Sequence, residues 1–435
     1  MKPTSIKIIQ ELKDAGHQAF WAGGCVRDML LGIEPKDFDI VTSASPDEIE
    51  DLLEKTIPIG KEFGVILAQK DGHDFEVATF RSDSGYSDGR RPDAVTFTNA
   101  QEDAKRRDFT INGMFYDPLT DEIHDFIGGQ KDLDAKLIRF IGDPEERILE
   151  DHLRILRAIR FKNQFGFQYE PKTYAALVKH AALVIDKVAN ERIADELNKI
   201  MMSGGAVEAF EDMEDIGVLK VLLPEIQKMK GCGQPIEYHQ EGDVWDHTML
   251  ALRSLPETTQ LPVRWAVLLH DVGKPDTFVL EERIRFDGHV NRGKEIAHDI
   301  LNRLRFPRRT VEEVKWLVEH HMMMVPLVDM PIGRKRHWFL HPYFLNLMQV
   351  FKADALGTIP SDLSLYEKIL KLYRETLEEM PKEPKPLLTG HDIMEMLGLK
   401  PGEKVGEVLM QLREKQLGKE LTTREEALEW LESLK

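Results

Sequence analysis

Apolar positions at helical spacing open the chain, where Met1 to Lys13 reads as an amphipathic helix capped by Thr4 or Ser5. After Gly23-Gly24, Val26 to Leu31 reads as a short helix ending at Gly32. Beyond the Pro35 break the pattern changes to alternation, and Asp37-Phe38-Asp39-Ile40-Val41 predicts a strand with both aspartates on one face. Two β-rich runs, Gly64–Gln69 and Asp74–Phe80, flank Asp71-Gly72 and predict a hairpin. A glycine- and charge-rich loop, Arg81 to Asp93, comes next. Glu102 to Tyr116 then reads as a helix that buries Phe109 and Met114 and leaves Arg106 and Arg107 pointing outward. From Asp143 onward the pattern is helical. Glu145 to Phe161 predicts one long helix packed through Ile148, Leu149, Leu153, Leu156 and Ile159, and further amphipathic helices follow at Asn190–Ile200 and Ala206–Leu223. The tail reads as two short helices around Pro401-Gly402 and a last one with Thr423 and Glu426 in capping-box spacing. This predicts a multidomain α+β chain with a mixed α/β head and an otherwise helical body.

Length and charge narrow the picture. At 435 residues the chain can bury several cores, and a 42% hydrophobic, 31% charged composition is that of a globular protein. Two distant cysteines, Cys25 and Cys232, indicate neither a disulfide framework nor a zinc ribbon, and fit a reducing cytoplasm. No signal peptide or membrane span is expected. A formal charge of −18 argues against coating nucleic acid non-specifically, so an RNA partner would be met by local basic patches such as Arg303–Arg309 and Gly333–Trp338. No protein partner is indicated.

Candidate chemistry begins at Gly23-Gly24, where backbone N–H groups can approach phosphate oxygens, with Arg27 in the following turn. Asp37 and Asp39 converge as carboxylates suited to Mg²⁺ ions that bridge nucleotide phosphates. Glu76 points away from the apolar face of its strand and is either a third carboxylate of that site or an exposed strand glutamate. Asp151 and Arg154, three apart, fall on one helical face with Arg157 a turn further on. An ion pair on a solvated surface is the ordinary fate of such residues. They also suit cytosine and adenine, which both present an exocyclic amine for the aspartate and an unprotonated ring nitrogen for the arginine. Guanine and uracil present the reverse order, a mismatch costing about 1–3 kcal/mol.

The stretch Trp21–Thr42, with Arg106-Arg107-Asp108 and Glu150-Asp151-His152-Leu153-Arg154, resembles the class II tRNA nucleotidyltransferase and bacterial poly(A) polymerase family of polymerase β-like nucleotidyltransferases. The resemblance implies a nucleotidyltransferase head over residues 1–140 and a helical neck and base-selection region over 141–236. It implies catalytic and Mg²⁺-binding roles for Asp37 and Asp39, and favours the third-carboxylate role for Glu76. Gly24, Arg27, Arg106, Arg107, Asp151, Arg154, Arg157 and Arg160 would bind the nucleotide. In that family the loop before Arg106 takes part in adding the terminal adenosine, and this chain keeps a long one. His247, His270-Asp271, His289, His320-His321 and Asp354 follow in the order of the HD phosphohydrolase superfamily. This implies an HD domain over 237–380, with His247, His270, Asp271, His289, His320 and Asp354 as ligands for Mn²⁺, Ni²⁺, Co²⁺ or Mg²⁺. Past the stiff Pro381–Pro386 linker, residues 387–435 would form a tRNA-binding tail. The expected activity is template-free addition of CCA to tRNA from CTP and ATP, with a second, phosphohydrolase activity in the HD domain. The alternatives are a poly(A) polymerase, a CC-only or A-only enzyme, and a phosphohydrolase whose head merely binds RNA.

Overall fold

A computed structural model describes residues 1–85, 94–380 and 383–435. Of the loop expected from Arg81 to Asp93, Arg81–Ser84 is a strand and residues 86–93 lie outside the described residues, as do Pro381-Lys382 of the expected linker. The chain divides into two units, residues 1–224 and 225–435.

In the first unit the described residues of the head include the strands β1 Ala19–Ala22, β2 Ile40–Thr42, β3 Thr56–Gly60, β4 Val65–Lys70, β5 His73–Thr79, β6 Arg81–Ser84, β7 Ala94–Phe97, β8 Phe115–Asp117 and β9 Glu122–His124. Seven of them form one mixed sheet in the order β3-β4-β5-β2-β1-β8-β9, and β6 and β7 pair separately. Asp71-Gly72 makes the two-residue turn between β4 and β5, with Lys70 opposite His73. β2 runs parallel to β5, Ile40 opposite Val77, and antiparallel to β1. Phe20, Val41, Phe80 and Phe115 fill the core on one side of the sheet together with Ala100 and Ala104. The first helix, Lys2–Asp14, starts earlier than expected: Thr4 and Ser5 lie inside it, and Ser5 Oγ accepts from Trp21 Nε1 at 3.0 Å instead of capping.

Three helix assignments from the sequence need correction, the smallest at 206–223, where Gly217 separates Ala206–Ile216 from Val218–Leu222. The segment 102–116 is not one helix. Ala100–Arg106 is helical, Thr110–Asn112 forms a single tight turn, and Phe115 opens β8, with Phe109 and Met114 buried as expected. The long helix at 145–161 is in fact two, Pro144–Glu150 and Arg154–Phe165, and Leu149 is exposed. The break has one local and one distant support: Asp151 accepts from Leu153 N at 3.2 Å, and buried His152 reaches the Asp186 carbonyl at 2.7 Å.

The second unit is almost wholly helical. Helices Val244–Arg253, Leu261–Leu269, His289–Arg303, Arg308–His320 and Phe344–Gly357 form its body. Gly273 lets the turn after Leu261–Leu269 lie against the start of His289–Arg303, since a Cβ there would sit 2.2 Å from the His289 carbonyl oxygen. The tail helices Gly390–Leu397, Glu403–Leu417 and Arg424–Glu432 enclose a core of Leu388, Ile393, Leu412 and Leu431, and Thr423 with Glu426 closes the capping box of the last helix.

Candidate active site and metal centre

A cavity of about 500 Å³ in the first unit is lined by Gly23, Gly24, Asp37, Asp39, Asp108, Asn112, Asp151 and Phe161, and by seven arginines that include Arg27, Arg106, Arg107, Arg154, Arg157 and Arg160. Asp37 and Asp39 occupy the extended lead-in to β2, not the strand itself, yet the alternation holds: Phe38 and Ile40 are buried and the two aspartates open outward. Glu76 is outside the cavity lining, but the β2–β5 register sets it beside Asp39. Desolvation by the surrounding protein, followed by the charges of Asp37 and Glu76, pushes the Asp39 carboxyl up to about 6 against the pull of Arg107. Carboxylates gathered this closely offer the hard oxygen donors that a divalent cation takes.

Gly23 sits at φ 72°, and a Cβ there would stand 3.1 Å from an Arg107 guanidinium nitrogen and 4.0 Å from an Asp39 oxygen. Backbone, cation and carboxylate therefore meet at that turn. Arg106 and Arg107 do not point freely outward as the sequence suggested. Both are anchored by Asp103, whose side chain is fully buried: Arg106 Nε donates to one oxygen at 2.9 Å, Arg107 Nη2 to the other at 3.0 Å. Arg27 is likewise held, by Asp28 at 2.6 Å and Asn112 at 2.7 Å, with Phe161 and Phe165 against its guanidinium.

Asp151 and Arg154 are not neighbours on one helix. Asp151 ends the first neck helix and Arg154 begins the second, and both still line the cavity. Each is held by its own partner. Arg192 donates to both Asp151 oxygens, at 3.2 and 2.8 Å, and Arg154 donates to Glu150 at 2.5 Å and to the Arg147 carbonyl at 2.7 Å. Arg157 grips Asp108 at 2.5 and 2.8 Å; although burial opposes ionisation, Arg157 and Asn112 draw the Asp108 carboxyl down to about 2. Arg160 pairs with buried Glu196 at 2.7 Å. Asp103, Asp108, Arg192 and Glu196 were missed as supports. Only Asp103 left a local trace, three and four residues before its arginines.

In the second unit a separate cluster gathers His247, His270, Asp271, His289, His321 and Asp354. His247 Nε2 lies 3.1 Å from Asp354 Oδ1 and 3.2 Å from His270 Nε2, and His270 Nε2 lies 3.2 Å from Asp271 Oδ2. The other Asp271 oxygen is 3.7 Å from both His289 Nε2 and His321 Nε2. His320, expected as a ligand, lies outside this cluster, and its neighbour His321 lies within it. His320 packs its ring on Trp316 and Trp338, and His321 faces Asp271. Nδ1 of His270, His289 and His321 donates to the carbonyls of Val267, Phe286 and Val318, so Nε2 of each is left as a lone-pair donor facing inward. Nε2 of His289 and of His321 is buried without a hydrogen-bond partner. Burial and His270 push His321 down to about 4, leaving it neutral, while Asp354 and Glu241 raise His247 to about 9 against burial. This donor set fits divalent cations, with Asp271 shared between two groups of ligands. Lys274, which reaches Asp271 at 2.6 Å, was not anticipated. The cluster opens on a cavity of about 700 Å³ that also exposes Tyr238, Arg283, Arg285 and Phe286. Of the basic patches, Arg303 is paired with Glu225, and Arg334 and Arg336 with Glu414 and Glu379.

Among the described residues no helix is long and apolar enough to cross a membrane. The poly A polymerase head domain model matches residues 19–139, the model for a probable RNA and SrmB-binding site of polymerase A matches 166–230, and the HD domain model matches 244–373. The CCA-adding enzyme of Bacillus velezensis is 31% identical over 99% of this chain and 97% of its own length. The A-adding tRNA nucleotidyltransferase of Deinococcus radiodurans is 34% identical over 93% of each. The crystal structure of the Bacillus stearothermophilus CCA-adding enzyme in complex with CTP superposes with a TM-score of 0.73 at 26% identity, over 99% of this chain and 97% of that one. Carboxylates facing an arginine-lined cavity, the neck behind them and near-complete coverage of such relatives agree: the chain belongs to the class II CCA-adding enzyme (tRNA nucleotidyltransferase) family and carries an HD domain.

Proposed function

We propose that this chain adds CCA to tRNA 3′ ends from CTP and ATP without a nucleic-acid template. The observation that carries the reading is the single cavity in which Asp37 and Asp39 share space with Asp151 and Arg154. Asp37 and Asp39, with Glu76 beside them, would hold Mg²⁺, which when bound lowers the pKa of the RNA 3′-hydroxyl and neutralises charge developing on the phosphates. Gly24, Arg27, Arg106 and Arg107 cradle the triphosphate, with Asp103 fixing the last two in place. Arg157 and Arg160 complete the nucleotide wall. Asp151 accepts from the exocyclic amine of cytosine or adenine and Arg154 donates to the ring nitrogen; a carboxylate has about four lone-pair sites, so the two bonds from Arg192 and the one from Leu153 N leave it room for one more. The relation to an A-adding enzyme makes A-only addition the competing activity. Transcripts ending before CCA, transcripts ending in CC and an unrelated RNA, each incubated with CTP alone, with ATP alone and with both together and then sequenced, separate the two. Full CCA on the first transcript supports the reading, and A on the second alone overturns it.

Arg154→Ala is expected to relax base choice more than it weakens triphosphate binding, raising UTP and GTP use relative to CTP by about tenfold, in line with the loss of one base-edge contact. An equal fall in affinity for all four nucleotides would place Arg154 on phosphate instead.

The raised Asp39 carboxyl gives a pH signature. Its folded value of about 6 exceeds the ordinary one, so stability is lost as pH rises from the usual carboxylate range through 6 and the charge appears beside Asp37 and Glu76. A cation that relieves this repulsion stabilises most where Asp39 is ionised. Mg²⁺ is therefore expected to raise Tm by a few degrees more at pH 7.5 than at pH 5, a difference that vanishes in Asp39→Asn. Equal shifts at both pH values would contradict this assignment.

The HD centre favours a second, divalent-metal-dependent phosphohydrolase activity, with Mn²⁺, Ni²⁺, Co²⁺ or Mg²⁺ held by His247, His270, Asp271, His289, His321 and Asp354. We assign residues 1–140 to the head, 141–236 to the neck, 237–380 to the HD domain and 387–435 to a tRNA-binding tail. Cys25 and Cys232, neither in a disulfide, accord with a cytoplasmic setting.

A further inference from the structure

Among the inward-facing histidines of the HD centre, His247 is supported differently. His270, His289 and His321 each donate Nδ1–H to a backbone carbonyl three residues earlier, on their own segment. His247 Nδ1 instead donates to a carboxylate, Glu241 Oε1, at 3.1 Å. The Glu241 side chain is fully buried, and the same oxygen accepts from His239 Nδ1 at 2.7 Å. Its other oxygen accepts from Ile359 N at 2.8 Å, just beyond the helix that carries Asp354, and Gln240 N adds a bond to the Ile359 carbonyl at 3.1 Å. One buried carboxylate thus joins the approach to His247 with the exit from the Asp354 helix, and those two residues stand 3.1 Å apart at the centre.

We infer that Glu241 is a positioning residue of the HD metal centre, fixing the ring and tautomer of His247 so that Nε2 faces the ion and setting its distance from Asp354. A carboxylate behind a ligating imidazole also raises the basicity of the metal-facing nitrogen, which a backbone carbonyl does less strongly. His239 is held by the same oxygen but lines the cavity. Its Nδ1 pairs with Glu241, not with Asp271 or Asp354, and we place it outside the ligand group. The inference rests on the reading of this cluster as a divalent-cation site.

The test is Ni²⁺ binding to the full-length chain in an Asp39→Asn background, which silences the head, followed by calorimetry and metal analysis with melting curves alongside. Nickel suits the imidazole-rich centre. Glu241→Ala is expected to weaken Ni²⁺ binding about 10- to 100-fold at unchanged stoichiometry. Glu241→Gln, which keeps one carbonyl acceptor, is expected to fall between Glu241→Ala and the background protein, and His239→Ala to stay within about twofold of it. If Glu241→Ala does not fold, a Glu241→Gln loss of about threefold or more with a normal melting curve supports the inference. Affinity within about twofold in every folded Glu241 variant overturns it. So does loss of one whole ion with the others bound as before, since Glu241 would then be a ligand itself. If the background protein binds no Ni²⁺ that His270→Ala with Asp271→Ala removes, the cation-site reading fails as well.

Discussion

Asp39→Asn is expected to cut nucleotide addition by about a hundredfold or more while leaving the fold intact. The substitution keeps the shape of the side chain and removes one negative charge from a cluster whose chemistry depends on it. Loss of an electrostatic contact made in the transition state costs on the order of 10²–10³ in rate. The fold does not need that charge, because Phe38 and Ile40, on the opposite face of the backbone, supply the packing. Relief of repulsion from Asp37 and Glu76 should even raise the metal-free melting temperature slightly. Single-turnover addition of CMP to a tRNA transcript measures the effect, and retention of more than about a tenth of the rate would falsify the assignment of Asp39.

The second large effect is at the other centre. His270→Ala with Asp271→Ala removes the shared carboxylate and one adjoining imidazole, so both ligand groups lose members at once. Metal-dependent phosphatase or cyclic phosphodiesterase activity is expected to vanish, and CCA addition to stay within about twofold, because the residues proposed for the two chemistries do not overlap. Removing buried ionisable groups also alters packing, and Lys274 loses its 2.6 Å partner, so a melting curve must accompany the assay. A phosphohydrolase rate unchanged in the double variant, or absent from the wild-type protein with Mn²⁺, Ni²⁺, Co²⁺ and Mg²⁺, would make the cluster structural.

Local signals in the sequence carried the head well. The Asp71-Gly72 turn and the Asp37–Val41 alternation are decided within a few residues, and the structure has both features. The break at Asp151 was hidden because Ile148, Leu153, Leu156 and Ile159 continue the helical stripe across it. Besides the short Asp151–Leu153 bond, what holds the break is long-range, the Arg192 clamp and the Asp186 carbonyl. The choice of His320 over His321 was avoidable. Val311, Val314 and Val318 form the buried stripe of their helix, and the next position on it is 321, not 320. The second carboxylate oxygen of Asp271, the Glu241 contacts and the Glu196 support join residues far apart in sequence and had no local pattern to reveal them.

The seven arginines around the head cavity face six aspartates, Asp28, Asp37, Asp39, Asp83, Asp108 and Asp151, so the wall comes close to electroneutrality. A strongly cationic pocket would seize a triphosphate and then retain the pyrophosphate, throttling turnover after each addition. On the proposed reading attraction is directional, through oriented guanidinium N–H groups, and the protein wall adds little net charge of its own. An enzyme that must discharge a leaving group after every nucleotide added gains from such restraint, because pyrophosphate is then held by the contacts it can still make and not by the pocket's net charge.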